Sequence, residues 1–525
     1  MEGNEMNAAA KVGVPPSGGP GAAGVRGRRA AGPAKAGTPT CAAEASVGVP
    51  PSGGPGTAGV HKPRASDSPA ARAQKTLLPM KHNVLYFVCH DLGRALGCYG
   101  AGISTPHLDA FAARGIRFTN AHCASPACSP SRACAMSGAY PHQTGALGLS
   151  HMGWPLPLSH STTVDDFNAG GYQTILSGIN HERHPRTDRY EVDMTREWDD
   201  WKLPRAVDNA LAALRARDAS RPFYLNIGTQ EPHACIWKDV GGRIPPMPET
   251  WSGWTPPGMP RTPALEAAFR RFAAAVVFLD NEFGRLLRGL EELGLADNTL
   301  IVFTTDHGMA GPRGKGSLYG LGTEIALLMR LPCGADAGTT RCFPVSNVGF
   351  RATLAEAACI ETDDTPVGPS FWPAARGQGS PPEDAVFLSR NFHGEKPWRA
   401  EPDYIDCYDP IRAVRTGTHL YIRNFRPEAK PPEPLSGVAW LPDQDPKQWA
   451  TSWTLPTQSR PEEELYLLAE DPLELHNVAA DPAQAATLAT LRSRLDAWMS
   501  ATGDFLPDPP PDRAEEPGWG PAWPV

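Results

Sequence analysis

The sequence predicts an α/β fold: a mostly parallel central sheet flanked by helices, with a smaller C-terminal α+β subdomain. Three observations carry this. Short, nearly all-apolar runs recur at Asn83–Cys89, Tyr172–Leu176, Phe223–Gly228, Thr299–Thr305 and Ile325–Leu331, the pattern of strands buried on both faces. Segments with apolar residues at helical spacing lie between them, and strand–helix alternation favours parallel pairing. Past residue 375 the texture changes, and Ile411–Thr416 and His419–Arg423, joined around Gly417, have the form of an antiparallel hairpin.

Taken in order, residues 1–79 contain no aromatic residue, are dense in Gly, Pro and Ala, and repeat Val12–Val25 as Val47–Val60 with one change. Such a tract cannot bury enough apolar surface to offset the entropy of ordering and is expected to be disordered. Translation is expected to begin near Met80, at the edge of a catalytic domain spanning 80–375. Asn83–Cys89 is its first strand and ends in the polar His90-Asp91, at the edge where open α/β sheets place ligands. Thr105-Pro106 open a helix with Leu108, Phe111 and Ala112 on one face. Val207, Leu211 and Leu214 give a helix over Arg205–Arg217.

Pro245–Pro263 is long for a connector and rich in Pro, Trp and Gly, so it is expected to act as a lid, with Trp251 and Trp254 able to stack on a ligand or pack on their own domain. Leu265, Phe269, Phe272, Val276, Leu279, Phe283, Leu286, Leu290 and Leu293 repeat in steps of four and three, a long amphipathic helix lying on the sheet. A subdomain over 376–525 holds the hairpin, a Pro- and Trp-rich loop at 427–464 and a helix near 483–499.

Composition bounds the function. With 525 residues, 41% apolar and 20% charged, the chain can bury a large core. Neither a span of about 18 apolar residues nor a secretory signal is seen, so no membrane partner and a cytoplasmic location are expected. Eleven cysteines without paired Cys-x-x-Cys spacing are expected to be mostly buried thiols. The net charge is −8; residues 1–79 hold nine Lys/Arg against four Asp/Glu, which leaves 40 against 53 beyond them. An acidic body does not draw in nucleic acid, and an anionic substrate must be attracted locally.

The local attraction is legible in Cys128-Ser129-Pro130-Ser131-Arg132. Pro130 suits the first turn of a helix, which places Cys128 just before the N-terminus, where unpaired N–H groups favour negative charge. Arg132, about one turn on, can reach the same point. On its own, a cysteine there is as often a small buried hydrophobe.

This stretch, with Ser137-Gly138 after it, resembles the sulfatase signature Cys-x-Pro-x-Arg followed by a small hydroxyl residue and Gly. In that family the cysteine is oxidised to formylglycine, whose hydrated aldehyde is the nucleophile. The resemblance spans roughly 81–503 and implies an alkaline phosphatase-like fold, that role for Cys128, and a formylglycine-generating maturation enzyme as partner. It also implies a divalent cation, usually calcium, held by Asp91, Asp306 and His307 at strand ends. The family carries a second aspartate where this chain has His90, which leaves His90 either a ligand or a lining residue. His181 and His233 match the family's active-site histidines, and Lys315 its substrate-binding lysine, whereas Ile179 stands where a lysine is usual. The implied roles are general acid for His233, proton acceptor for His181, and charge stabilisation for Arg132 and Lys315.

His90-Asp91-Leu92-Gly93-Arg94 with Gly97-Cys98-Tyr99-Gly100 is most similar to bacterial enzymes related to heparan N-sulfatase. A sulfated sugar or aminosugar is therefore the implied substrate, with O- or N-sulfate undecided. Two alternatives remain at the level of sequence. One is a phosphate or phosphonate monoester hydrolase on the same fold; the other is a pseudoenzyme that binds sulfated glycans, given the departures at His90 and Ile179.

Overall fold

The protein, a computed structural model, is described for residues 81–183, 189–233, 243–259, 261–311, 313–362, 366–392, 408–428, 460–504 and 506. The tract 1–79 and most of the loop 427–464 lie outside the described residues. Fourteen strands are defined among the described residues: β1 (Asn83–Cys89), β2 (Ile116–Phe118), β3 (Ala121–His122), β4 (Gln173–Gly178), β5 (Val192–Asp193), β6 (Phe223–Gly228), β7 (Thr299–Thr305), β8 (Leu327–Arg330), β9 (Thr339–Arg341), β10 (Val345–Ser346), β11 (Ala385–Phe392), β12 (Tyr408–Thr416), β13 (His419–Asn424) and β14 (Glu463–Leu467).

The large sheet runs β5-β4-β6-β1-β7-β8-β2-β9. Its first five strands are mutually parallel, with β1 between β6 and β7. Strand alternation explains its two cores. Leu85, Phe87 and Cys89 of β1 join Ile301 and Phe303 of β7 in one cluster, while Val84, Tyr86 and Val88 join Leu300 and Val302 in the other. The helix Pro263–Glu292 covers the first face, with Thr262 capping the amide of Leu265 at 3.3 Å and Pro263 as its first residue. Leu265, Phe269, Phe272, Val276, Leu279, Phe283, Leu286 and Leu290 are all buried there. At roughly 1.5–3 kcal/mol for each such side chain, this stripe rather than helix propensity holds the helix in place.

The structure departs from the sequence expectation at β8, which pairs antiparallel with β7. A parallel return requires a crossover, usually a helix. The chain from Asp306 to Ala326 instead forms a loop whose only helical turn among the described residues is Gly320–Thr323, and that loop lies over the strand ends.

The expected lid differs too. Trp254 packs on Phe269 at 5.8 Å and Phe272 at 6.5 Å, and the Arg270 guanidinium lies 5.4 Å over Trp251. Both tryptophans are thus fastened to the long helix, because its apolar stripe offers more burial than solvent does.

The small sheet runs β11-β12-β13-β14, all antiparallel. The helix Ala485–Thr502 lays Leu488, Leu491, Leu495 and Trp498 against Val414, Tyr421 and Leu465. Ala124 and Cys134 belong to the same cluster, so the small sheet buttresses the helix that begins at Cys128.

Candidate active site

The loops leaving β1, β4, β6 and β7 at their C-terminal ends meet the helix Cys128–Ser137. Cys128 is the first residue of that helix rather than the residue before it, with Ala127 extended and Pro130 in the first turn. Its sulfur accepts from Lys315 Nζ at 3.1 Å and lies 3.3 Å from His307 Nε2 and 4.0 Å from Asp91 Oδ1. Burial pushes the thiol up to about 12, against the pull of Lys315 and with the push of Asp91. Desolvation therefore outweighs the lysine. At neutral pH the side chain is a thiol, which is a poor nucleophile.

Asp91 sits at φ 54°, a left-handed conformation at the end of β1. Its amide donates to Asp306 Oδ1 at 3.0 Å. Its carboxylate accepts from His233 Nδ1 at 2.8 Å and from Lys315 Nζ at 3.2 Å through both oxygens. Burial alone would raise its pKa, but Lys315, His233 and His307 together hold it well below the usual carboxylate range. Asp306 Oδ1 also accepts the amide of His307 at 2.9 Å.

His307 Nδ1 lies 2.8 Å from the carbonyl of Gly308, which fixes the N–H there and directs the Nε2 lone pair towards Asp91 and Cys128. Burial lowers its pKa, against the pull of Asp306 and Asp91. One ligand atom each from Asp91, Cys128, Asp306 and His307 lies within 4.8 Å of the others, all four residues buried. Two carboxylates and an oriented neutral imidazole beside residue 128 fit a divalent cation.

His90 falls outside that set. It groups instead with Cys128 and His181, its Nε2 lying 3.5 Å from His181 Nδ1. Arg132 is buried beneath the site, donating through Nε to Asp306 Oδ2 at 3.3 Å, with NH2 2.9 Å from His90 Nδ1 and 3.4 Å from the Cys89 carbonyl. Its guanidinium thus anchors the carboxylate and the imidazole, where the sequence placed it beside the nucleophile. Ile179, where a lysine is usual, is buried with its amide bonded to the Gly228 carbonyl at 2.8 Å.

Two residues escaped the sequence. His151 stacks on His181 with ring planes 6° apart, Nδ1 3.2 Å from His181 Nε2. It lies in the turn Ser150–Met152, with no strand end to mark it. Glu182 is buried near Arg132, with its pKa raised by burial against the pull of that arginine.

Comparison with known proteins decides the family: the profile described as Sulfatase matches residues 82–358, more than half of the chain. The chain belongs to the sulfatase family. It is 27% identical to an ulvan-active sulfatase of Formosa agariphila over 82% of this chain and 77% of that protein. It is 26% identical to the N-sulphoglucosamine sulphohydrolase of Homo sapiens over 80% of this chain and 90% of that protein. Among solved structures, one of a protein in complex with its substrate D-glucosamine-2-N,6-O-disulfate has a TM-score of 0.61 at 19% identity, covering 82% of this chain and 99% of that one. The phosphonate monoester hydrolase of Agrobacterium radiobacter shares the fold with a TM-score of 0.60 at 19% identity, covering 80% and 96%. The sulfatase is an enzyme that hydrolyses sulfate esters, and the mostly parallel sheet with its small antiparallel companion is the fold these neighbours share.

Proposed function

We propose that this sulfatase releases sulfate from a sulfated sugar or aminosugar, with Cys128 converted to formylglycine by a maturation enzyme and Ca2+ held by Asp91, Asp306 and His307. The observation that carries it is the Cys128 side chain, buried between Lys315 and His307 with its thiol kept protonated. A thiolate enzyme would need the opposite environment. The relatives named for N-sulphoglucosamine and N-acetylglucosamine-6-O-sulfate chemistry support the substrate class.

When present, the cation polarises a sulfuryl oxygen and the hydrated aldehyde at residue 128 supplies the attacking oxygen. The residues of the chain do the rest. Lys315, 3.1 Å from the side chain of residue 128, binds a sulfuryl oxygen and offsets the charge that grows on it. Asp91 holds His233 through Nδ1, so His233 Nε2 is the nitrogen that delivers a proton to the leaving oxygen or nitrogen. His181, close to residue 128 and neutral because burial and the neighbouring histidines lower its pKa, accepts the proton that residue 128 sheds. Arg132 orients Asp306 and His90.

The test is co-expression with a formylglycine-generating enzyme, confirmation of the aldehyde at residue 128 by mass spectrometry, and a sulfate-release screen over sulfated mono- and disaccharides. Phosphate and phosphonate monoesters are run in parallel. Turnover of a sulfated sugar, lost in Cys128→Ala, is expected. Faster turnover of phosphonates, or full activity with only unmodified thiol, overturns the proposal.

A further inference from the structure

The second cluster, His90–His181–Cys128, has a geometry of its own. His90 Nε2 and His181 Nδ1 are 3.5 Å apart, and one ring nitrogen of each residue and Cys128 Sγ lie within 4.8 Å of one another. Two nitrogens bound at 2.0–2.1 Å in a tetrahedral site lie about 3.4 Å apart. All three residues are buried, at 2%, 7% and 3% exposure.

Each imidazole is also supported from behind. His90 Nδ1 lies 3.0 Å from the carbonyl of Thr229, which can only accept, so an Nδ1–H there leaves a lone pair on Nε2. His181 Nε2 lies 3.2 Å from His151 Nδ1 in the stacked pair, so an Nε2–H there leaves a lone pair on Nδ1. In this pair of tautomers both lone pairs point at each other across 3.5 Å, an arrangement that a cation between them would stabilise. Outer partners that fix the ring nitrogen are the usual support of metal-bound histidines.

We propose that while residue 128 is still a thiol, His90 Nε2, His181 Nδ1 and Cys128 Sγ bind a thiophilic cation of the zinc class, and that conversion to formylglycine abolishes this site. The inference rests on Cys128 being the residue converted. A sulfur and two imidazole nitrogens suit zinc rather than calcium, whose ligands are hard oxygens. The aspartate that the family resemblance implies at position 90 would replace the second imidazole with an oxygen donor.

Binding displaces the thiol proton: the cation and the Cys128 S–H give a metal–sulfur bond and one released proton, with no change in oxidation state. It also selects between two tautomers of His90. In the other, Nδ1 accepts from Arg132 NH2 at 2.9 Å and Nε2–H faces Asp306 Oδ2 at 3.4 Å. The bound cation requires Nδ1–H towards Thr229, with Arg132 NH2 turned to the Cys89 carbonyl, 3.4 Å away.

The experiment uses full-length protein with unconverted Cys128, verified by mass spectrometry, in excess Ca2+ to fill the carboxylate set. Zn2+ is titrated against a chromophoric chelator, and Co2+ is added as a spectroscopic probe. One equivalent of Zn2+ is expected, with a sulfur-to-cobalt charge-transfer band that Cys128→Ser removes. His181→Ala and His90→Ala should each weaken Zn2+ by more than about 100-fold, the upper range for loss of a mere supporting group. The converted protein should lack the site. Folding of each variant is checked by circular dichroism; if one fails, the parent Co2+ spectrum and its loss in Cys128→Ser still decide.

No stoichiometric binding, unchanged affinity in both histidine variants, or retention of the site in converted protein overturns the proposal. Sulfate release by converted protein is read separately, so failure of the metal site and failure of the sulfatase mechanism are distinguishable.

Discussion

Glu474 → Gln is the substitution that most directly tests how the small sheet serves the active site. Glu474 is buried, with φ 58°, at the end of the segment after β14. One carboxylate oxygen accepts the Gly320 amide at 2.7 Å, and the other pairs with Arg415 of β12. Its carbonyl accepts from Arg313, whose guanidinium lies 3.5 Å over the Tyr319 ring. The loop carrying Lys315 is thus clamped on both sides, with Arg390 of β11 donating to the Gly316 carbonyl at 2.6 Å.

Glutamine keeps the shape and one acceptor but leaves Arg415 buried with only Glu324, 3.4 Å away. Removing one partner of a buried pair costs about 3–5 kcal/mol. For a domain of this size that lowers Tm by roughly 3–6 °C, since the shift per kcal/mol shrinks as domains grow. Relaxation of the loop should also move Lys315 off residue 128 and cut kcat/KM at least about tenfold, equivalent to roughly 1.4 kcal/mol. Thermal melts and sulfate-release kinetics read both effects. The double variant Glu474→Gln with Arg415→Met should recover part of the stability, because it removes the uncompensated charge. A Tm within 1 °C of the parent with unchanged kcat/KM would refute the clamp.

Three further outcomes are expected. His142 is held down to about 4 by burial, against the pull of Asp504. The unfolded chain titrates near 6.5, so this term is fully present above pH 6.5 and is lost as pH falls from 6.5 towards 4, about 2 kcal/mol by pH 5. Denaturant titrations at pH 7.5 and 5.0 should show a smaller acid loss in His142→Gln; equal losses refute the assignment. Arg132→Lys should lower kcat/KM by about 100-fold despite its retained charge, because an ammonium cannot reach Asp306, His90 and the Cys89 carbonyl from one stem. Near-parental kinetics would show that charge alone suffices. Exhaustive chelation should abolish sulfate release reversibly without unfolding the protein, because Lys315 pairs with Asp91 and His233 hydrogen-bonds it without the cation; activity that survives chelation removes the cation from the reaction.

Strands that depend on local apolar density were legible: β1, β6 and β7 fall on the residues their runs marked. What the sequence could not show was direction and packing. β8 reads like its parallel neighbours because burial on both faces imposes the same composition, and only the missing helical crossover reverses it. The tryptophans of 245–263 read equally well as ligand-facing or inward-facing; the apolar stripe of the Pro263–Glu292 helix settles them inward.

At the site, position in the chain marked residues that the structure brings together, whereas their mutual charge required the structure. A helix N-terminus and a nearby cation both argue for a reactive anion at Cys128, yet burial reverses the outcome and keeps the thiol protonated. Arg132 reads as a substrate cation from its spacing of one turn, but the buried Asp306 carboxylate claims it first, since an unpaired charge there would cost several kcal/mol. Lys315, on a loop with no periodicity of its own, becomes the cation against residue 128 because the small sheet holds it there. His90 marks the same limit: the sequence showed the departure from the family pattern, but only packing shows that its Nε2 faces both Asp306 Oδ2 at 3.4 Å and His181 Nδ1 at 3.5 Å, while Arg132 and the Thr229 carbonyl compete for its Nδ1.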